Sequence, residues 1–269
     1  MGLATADALR AAGHTVVGVD LRDADVVADL STVEGRRFAS QEVLRRSGGR
    51  LDGAVLAAGL GPMPRREHDI ARVNYLGVVD LLAAWRAALA ETGAAKVVVV
   101  GSNSTTVTPL VPRRSVRALL AGDPDRAVRA VRMFRTGAAP MIYAASKLAV
   151  SRWVRRTAVT PAWAGAGIRL NVLAPGAVRT PLLERQLDSP SARAVAGFPV
   201  PAGNYGDPAL LATWMTFMLS DAADFLVGSV VLVDGGSDAY LRPDAWPRPV
   251  PAVGLVGYIR RMAAFRRRR

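Results

Sequence analysis

Short runs of β-branched residues alternate along this chain with longer amphipathic stretches, the pattern of βαβ units wound over a parallel sheet. Strands are predicted over residues 15–19 (TVVGV), 51–57 (LDGAVLA), 96–100 (KVVVV), 168–173 (IRLNVL) and 228–233 (GSVVLV). Helices are predicted over 32–46, 69–91, 141–160 and 208–219, and residues 106–140 fit no strand and read as one or two inserted helices. The expected fold class is α/β: a doubly wound Rossmann-type, mainly parallel sheet in a single domain over residues 1–244. Residues 245–269 form a Pro-rich linker and a basic amphipathic tail.

Composition narrows the chemistry. The 269 residues are 51% apolar, enough for a substantial core. There is no cysteine and histidine occurs only at His14 and His68, which excludes thiolate chemistry and argues against a metal site. No apolar run approaches the roughly 18 residues that span a bilayer, and no secretory signal opens the chain, so a cytoplasmic location is expected. The formal charge is +13, but residues 245–269 carry seven Arg and no acid, leaving +6 for the other 244 residues. Without a concentrated basic stripe or a recognition helix, no nucleic-acid partner is expected.

In open parallel sheets ligands sit beyond the carboxyl ends of the strands, which directs attention to Asp20, Ala57, Ala58, Gly59, Ser102 and the segment from Pro175 to Thr180. Tyr143 and Lys147 lie four residues apart in Y-A-A-S-K, on one face of a predicted helix. An ammonium beside a phenol favours the phenolate and moves it toward exchanging a proton with an alcohol or carbonyl. Taken alone, the same spacing occurs on purely structural helices. Ser102 directly follows the buried KVVVVG strand, where its hydroxyl can bond a substrate oxygen or simply cap a turn. Asn74 is a poor helix former inside a predicted long helix, and its amide could join backbone and ordered water toward Lys147.

These residues, in this order and on these elements, resemble the classical short-chain dehydrogenase/reductase family over roughly residues 2–243. The resemblance implies a catalytic set of Asn74, Ser102, Tyr143 and Lys147, with Tyr143 as the proton donor and acceptor. It also implies cofactor contacts from Gly2, Asp20, Asp29, Leu30, Ala57, Ala58, Gly59, Tyr143, Lys147, Pro175, Gly176, Val178 and Thr180. Within the family, the GHTVVGVD and AGLGP segments, the insert and the DGGSDAYLRP ending look most like bacterial 3α-hydroxysteroid dehydrogenase/carbonyl reductases. That implies a small-molecule alcohol or ketone substrate, with hydroxysteroids among the candidates, and a homodimer or homotetramer.

Asp20 closes a strand where a carboxylate can accept from ribose hydroxyls and repel a 2′-phosphate, so NAD(H) is favoured; Arg22 keeps NADP(H) open. Asp29 matches an acidic contact to adenine, or is a helix N-terminal acid. The family opens with a strand and a T-G-x-x-x-G-x-G turn, and Met1 and Gly2 align with the last x-G. The first strand is thus missing from this sequence, with about a dozen residues expected upstream. That departure and the basic tail leave a second reading, a catalytically silent scaffold or membrane-associated module on the same fold. Leu255, Tyr258, Ile259, Met262 and Phe265 recur at helical spacing among the tail's arginines, which fits contact with a membrane surface or a frayed, solvated end.

Overall fold

The computed structural model describes residues 1–188, 192–247 and 249–266. Six strands pair in parallel throughout and separate into two sheets. β1 (Val19–Asp20) pairs with β2 (Val26–Val27), while β3 (Gly53–Leu56), β4 (Lys96–Val100), β5 (Arg169–Pro175) and β6 (Val230–Val233) lie in that order in the second sheet. No strand lies between β1 and β3 among the described residues, so each shows one unpaired edge. This is why the predicted strand over 15–19 shrinks to Val19–Asp20: the ladder with β2 begins only at Val19, and the preceding residues have no strand neighbour.

β4 shows why a wholly apolar strand is needed. Successive side chains point to opposite faces, so Val97 and Val99 enter one cluster while Val98 and Val100 enter another. On the first face lie α2 (Val33–Arg46), α4 (Gly77–Ala90) and α8 (Ala138–Thr157), contributing Val43, Leu82 and Val150 among others. On the second, α11 (Pro208–Leu219) buries Leu211, Met215 and Met218, and α1 (Gly2–Ala11) packs beside it, with Thr5 Oγ1 3.7 Å from Met215 Sδ. The sheet is therefore doubly wound. Lys96 is buried at the start of β4, where Asp221 and Asp224 reach its ammonium at 2.8 and 3.0 Å. Asn171, buried in β5, accepts from Ser229 N and donates to Leu226 O, tying down the approach to β6.

The predicted helix over 69–91 is a composite. α3 (Glu67–Ala71) runs into a π-helical turn, Arg72–Leu76, and then α4. Together, Glu67–Ala90 are long and apolar enough to cross a membrane by length and composition, yet half of the most apolar window is buried, with Ile70, Tyr75 and Leu82 in the core. The insert holds more structure than expected: α5 (Ser104–Val107), α6 (Arg113–Leu120), α7 (Pro124–Arg129) and a 3-10 turn at Arg132–Gly137. Asp123 caps α7 through Arg126 N, which the spacing-based expectation of one or two helices did not resolve. α9 (Pro181–Leu187), α10 (Ala192–Ala196), α12 (Ser237–Leu241) and α13 (Leu255–Arg266) complete the chain.

Candidate active site

Strand ends and one helix assemble the site. α8 carries Tyr143 and Lys147 one turn apart, and Lys147 Nζ donates to Val100 O, the last carbonyl of β4, at 2.8 Å. That bond clamps α8 to the sheet's open end. Ser102, two residues past β4 and buried, hydrogen-bonds the Tyr143 phenol and accepts from Ser104 N at 3.1 Å. The three predicted residues thus form one cluster.

Asn74 joins it from the π-turn. An i→i+5 turn inserts an extra residue into a helix and rotates the side chains that follow, and such turns are often found at functional sites. Fully buried, Asn74 accepts from Leu60 N at 2.8 Å and donates to Leu60 O at 2.9 Å, pairing with that residue as a neighbouring strand would. Its amide also donates to Ser146 Oγ at 3.3 Å, and that hydroxyl donates to Tyr143 O at 2.7 Å. Asn74 therefore positions the segment after β3 and reaches the Tyr143 turn through Ser146. A direct hydrogen bond to Lys147 is not among its partners, although a Cβ at Gly59 would meet Asn74 Oδ1 at 3.2 Å and Lys147 Nζ at 3.4 Å. Spacing alone could not reveal Ser146, whose only signal is its place inside Y-A-A-S-K.

Electrostatics here are governed by burial. Desolvation raises the Tyr143 phenol above its ordinary value, and the Ser102 hydrogen bond pulls it partly back. Desolvation also lowers the Lys147 ammonium to about 8. The net shift of the phenol without cofactor is thus upward, because a low-dielectric setting penalises both charged forms, whereas the acidic phenol expected from sequence relies on a bound cationic nicotinamide as well as on Lys147.

The remaining predicted residues lie along the same rim. Gly2 opens α1 beside β3's end, where a Cβ would stand 3.1 Å from Ala57 Cβ, and the helix has no side-chain cap. Ala58 and Gly59 are exposed beyond β3. Asp20 is exposed at the end of β1 and accepts from Leu21 N at 2.6 Å. Asp29 accepts from Ser31 N at 2.8 Å, and this bond holds its carboxyl below the usual range. Leu30 is buried, and its carbonyl accepts from Arg36, which is also paired with Asp80 of α4 at 2.8 Å. Val178 is buried and bridged to Gly206, and Thr180 Oγ1 donates to Val178 O and accepts from Leu183 N. Asp20, Asp29 and Thr180 are each engaged by their own turn. Among the described residues, no group of His, Asp or Glu could hold a metal.

After Pro175 the backbone passes directly against the loop that follows β6. A Cβ on Gly176 would stand 2.7 Å from Asp234 Cα, while Gly176 N donates to Val233 O and Asn103 Nδ2 donates to Asp234 Oδ2. Gly176→Ala is expected to destabilise the protein by about 2–3 kcal/mol, since backbone must yield to the methyl group. Urea denaturation measures this; a change below about 0.5 kcal/mol would contradict the packing described.

Comparisons with known proteins agree with this layout. A family profile described as enoyl-(acyl carrier protein) reductase matches residues 127–238. The chain is 39% identical over 244 residues to 3-alpha-hydroxysteroid dehydrogenase/carbonyl reductase of Comamonas testosteroni, covering 90% of this chain and 94% of that protein. It is 30% identical over 238 residues to cis-4-hydroxycyclohexanecarboxylate dehydrogenase of Sinomonas cyclohexanicum, covering 87% and 81%. The crystal structure of the 3-alpha-hydroxysteroid dehydrogenase from Pseudomonas sp. B-0831 complexed with NADH superposes with a TM-score of 0.85 at 41% identity, covering 91% of this chain and 95% of that one. With its parallel sheet, its Ser102–Tyr143–Lys147 cluster and relatives matched over nearly their whole length, the chain belongs to the short-chain dehydrogenase/reductase family of oxidoreductases.

Proposed function

We propose that this protein interconverts a secondary alcohol and a ketone with NAD(H), using Tyr143 as the proton donor in reduction and the acceptor in oxidation. The observation that carries this reading is that Tyr143, Ser102 and Lys147 come together at the open end of β4, with Lys147 Nζ bonded to Val100 O one turn from the phenol. The residues present fit a dinucleotide. The Gly59 position leaves the room between Asn74 and Lys147 that a side chain would fill, the N-terminal end of α1 lies beside the end of β3, and Asp20 offers a carboxylate at the end of β1.

Bound there, the nicotinamide would give or take the hydride. Ser102 holds the substrate oxygen beside the phenol as charge develops on it. Tyr143 passes its proton to that oxygen in reduction, and its raised proton affinity keeps it protonated at neutral pH for that task. Lys147, charged below about pH 8, favours the phenolate needed for oxidation. Asn74 keeps the 57–60 segment and the Tyr143 turn in register.

A hydroxysteroid is the favoured substrate class, on the strength of the relatives named as 3-alpha-hydroxysteroid dehydrogenases. The insert at 106–140 and the loop at 181–205 are the segments that would shape its pocket. A homodimer or homotetramer belongs to the same reading: Leu210, Trp214 and Phe217 make an exposed apolar stripe on α11, whose other face is already buried. The proposed location is cytoplasmic.

A panel of steroid ketones and simple cyclic ketones, followed by loss of NADH absorbance, tests the activity. Turnover of none of them by protein that binds NADH would favour the silent scaffold. Asp20→Ala is expected to weaken NADH binding about tenfold and to narrow the preference over NADPH, because a carboxylate that accepts from ribose hydroxyls and repels a phosphate is lost. Titration with each cofactor measures this, and an unchanged ratio of affinities would remove Asp20 from the cofactor site.

A further inference from the structure

The catalytic reading leaves the last helix unused. α13 (Leu255–Arg266) follows a linker rich in proline, and none of its residues from Leu255 to Phe265 is buried. At 100° per residue, Leu255, Tyr258, Ile259 and Met262 fall within one narrow arc, with Phe265 continuing it. The first four are 53%, 48%, 56% and 47% exposed. Arg260 and Arg261 project on either side of the opposite face. α4 and α8, by contrast, bury their apolar arcs in the core.

We propose that α13 and its linker form a docking element for an anionic lipid surface. Two observations select this occupant. The segment 245–269 contains seven Arg and no acid, so its charge complements a phosphate-rich plane, and the attraction is long-ranged. A nucleic acid would use the arginines but gives an apolar arc nothing to enter, whereas a bilayer boundary accepts both faces at once. Trp246, 71% exposed in the linker, and Tyr258 add rings of the kind that settle at headgroup level. Docked in this way, the helix axis lies parallel to the surface and the catalytic domain stays in water, tethered by residues 243–254. The proposal is independent of the dehydrogenase reading, because none of these residues belongs to the candidate site.

Co-sedimentation of the full chain with vesicles tests it. Vesicles of phosphatidylcholine doped with phosphatidylglycerol are expected to pellet the protein, pure phosphatidylcholine much less, and added salt to weaken the binding. Arg260→Gln with Arg261→Gln is expected to reduce partitioning by about 10–30-fold. Ile259→Asp with Met262→Asp is expected to bring it to background with an unchanged thermal midpoint, since both side chains are exposed. Equal pelleting with both vesicle types, or no loss in either variant, would overturn the proposal. So would binding to duplex DNA that is as tight as vesicle binding and insensitive to the Ile259/Met262 change.

Discussion

Replacing Tyr143 with phenylalanine is expected to lower kcat by about 10²–10⁴-fold, the usual worth of a positioned proton donor, while NADH affinity changes by less than about threefold. The ring is retained, so the packing of α8 is kept and only the hydroxyl bonded to Ser102 is lost. The pH profile supplies the direction. Burial raises the phenol's pKa, so reduction should hold through neutral pH and fall only in alkaline solution, while oxidation should rise with pH as phenolate becomes accessible. Steady-state rates in both directions across pH test this. A variant that keeps most of its reductase rate would remove Tyr143 as the proton donor.

Lys147→Met should separate stability from activity. In the folded protein the ammonium titrates at about 8, against about 10.4 for a solvated lysine, because burial penalises its charge. Below pH 8 the native state carries a charge that the unfolded chain keeps in water. Between about pH 8 and 10 the native state sheds that proton while the unfolded chain still holds it, so wild-type stability climbs with pH across this window. The full penalty is about 3 kcal/mol. Methionine removes it but leaves Val100 O without its donor, at a cost of about 1–3 kcal/mol. The variant is therefore expected to be at least as stable as wild type at pH 7, by up to about 2 kcal/mol, to lose any such advantage by pH 10, and to retain less than about one hundredth of the activity. Urea denaturation at the two pH values measures the difference. A variant less stable at pH 7 would mean that the carbonyl bond outweighs desolvation.

Much of this layout was legible in the sequence, for identifiable reasons. β4 and α11 match their predicted bounds because KVVVV is apolar on both faces and Asp207–Pro208 marks a helix start by a cap and a first-turn proline. Ser102, Tyr143 and Lys147 were legible because their positions are fixed by local spacing against a strand end and within one helix. The π-turn was not, since its register change preserves the apolar composition from which a single long helix is inferred. The upward shift of the Tyr143 phenol without cofactor was equally hidden: sequence shows that a lysine is near, but not how dry the site is. Residues whose side chains serve their own turns, such as Asp29 and Thr180, carry the least information about ligands in either description.

The placement of the candidate residues along the sheet has a consequence for any ligand that reaches them all. Asp20 and Asp29 sit at or just past the ends of β1 and β2, whereas Ser102 and Gly176 follow β4 and β5, all on the carboxyl side of parallel strands. A ligand touching both groups would lie across the strands, so part of its binding free energy would go into holding its own extended shape, and the distance from ribose to reacting carbon would be set as much by the ligand as by the protein.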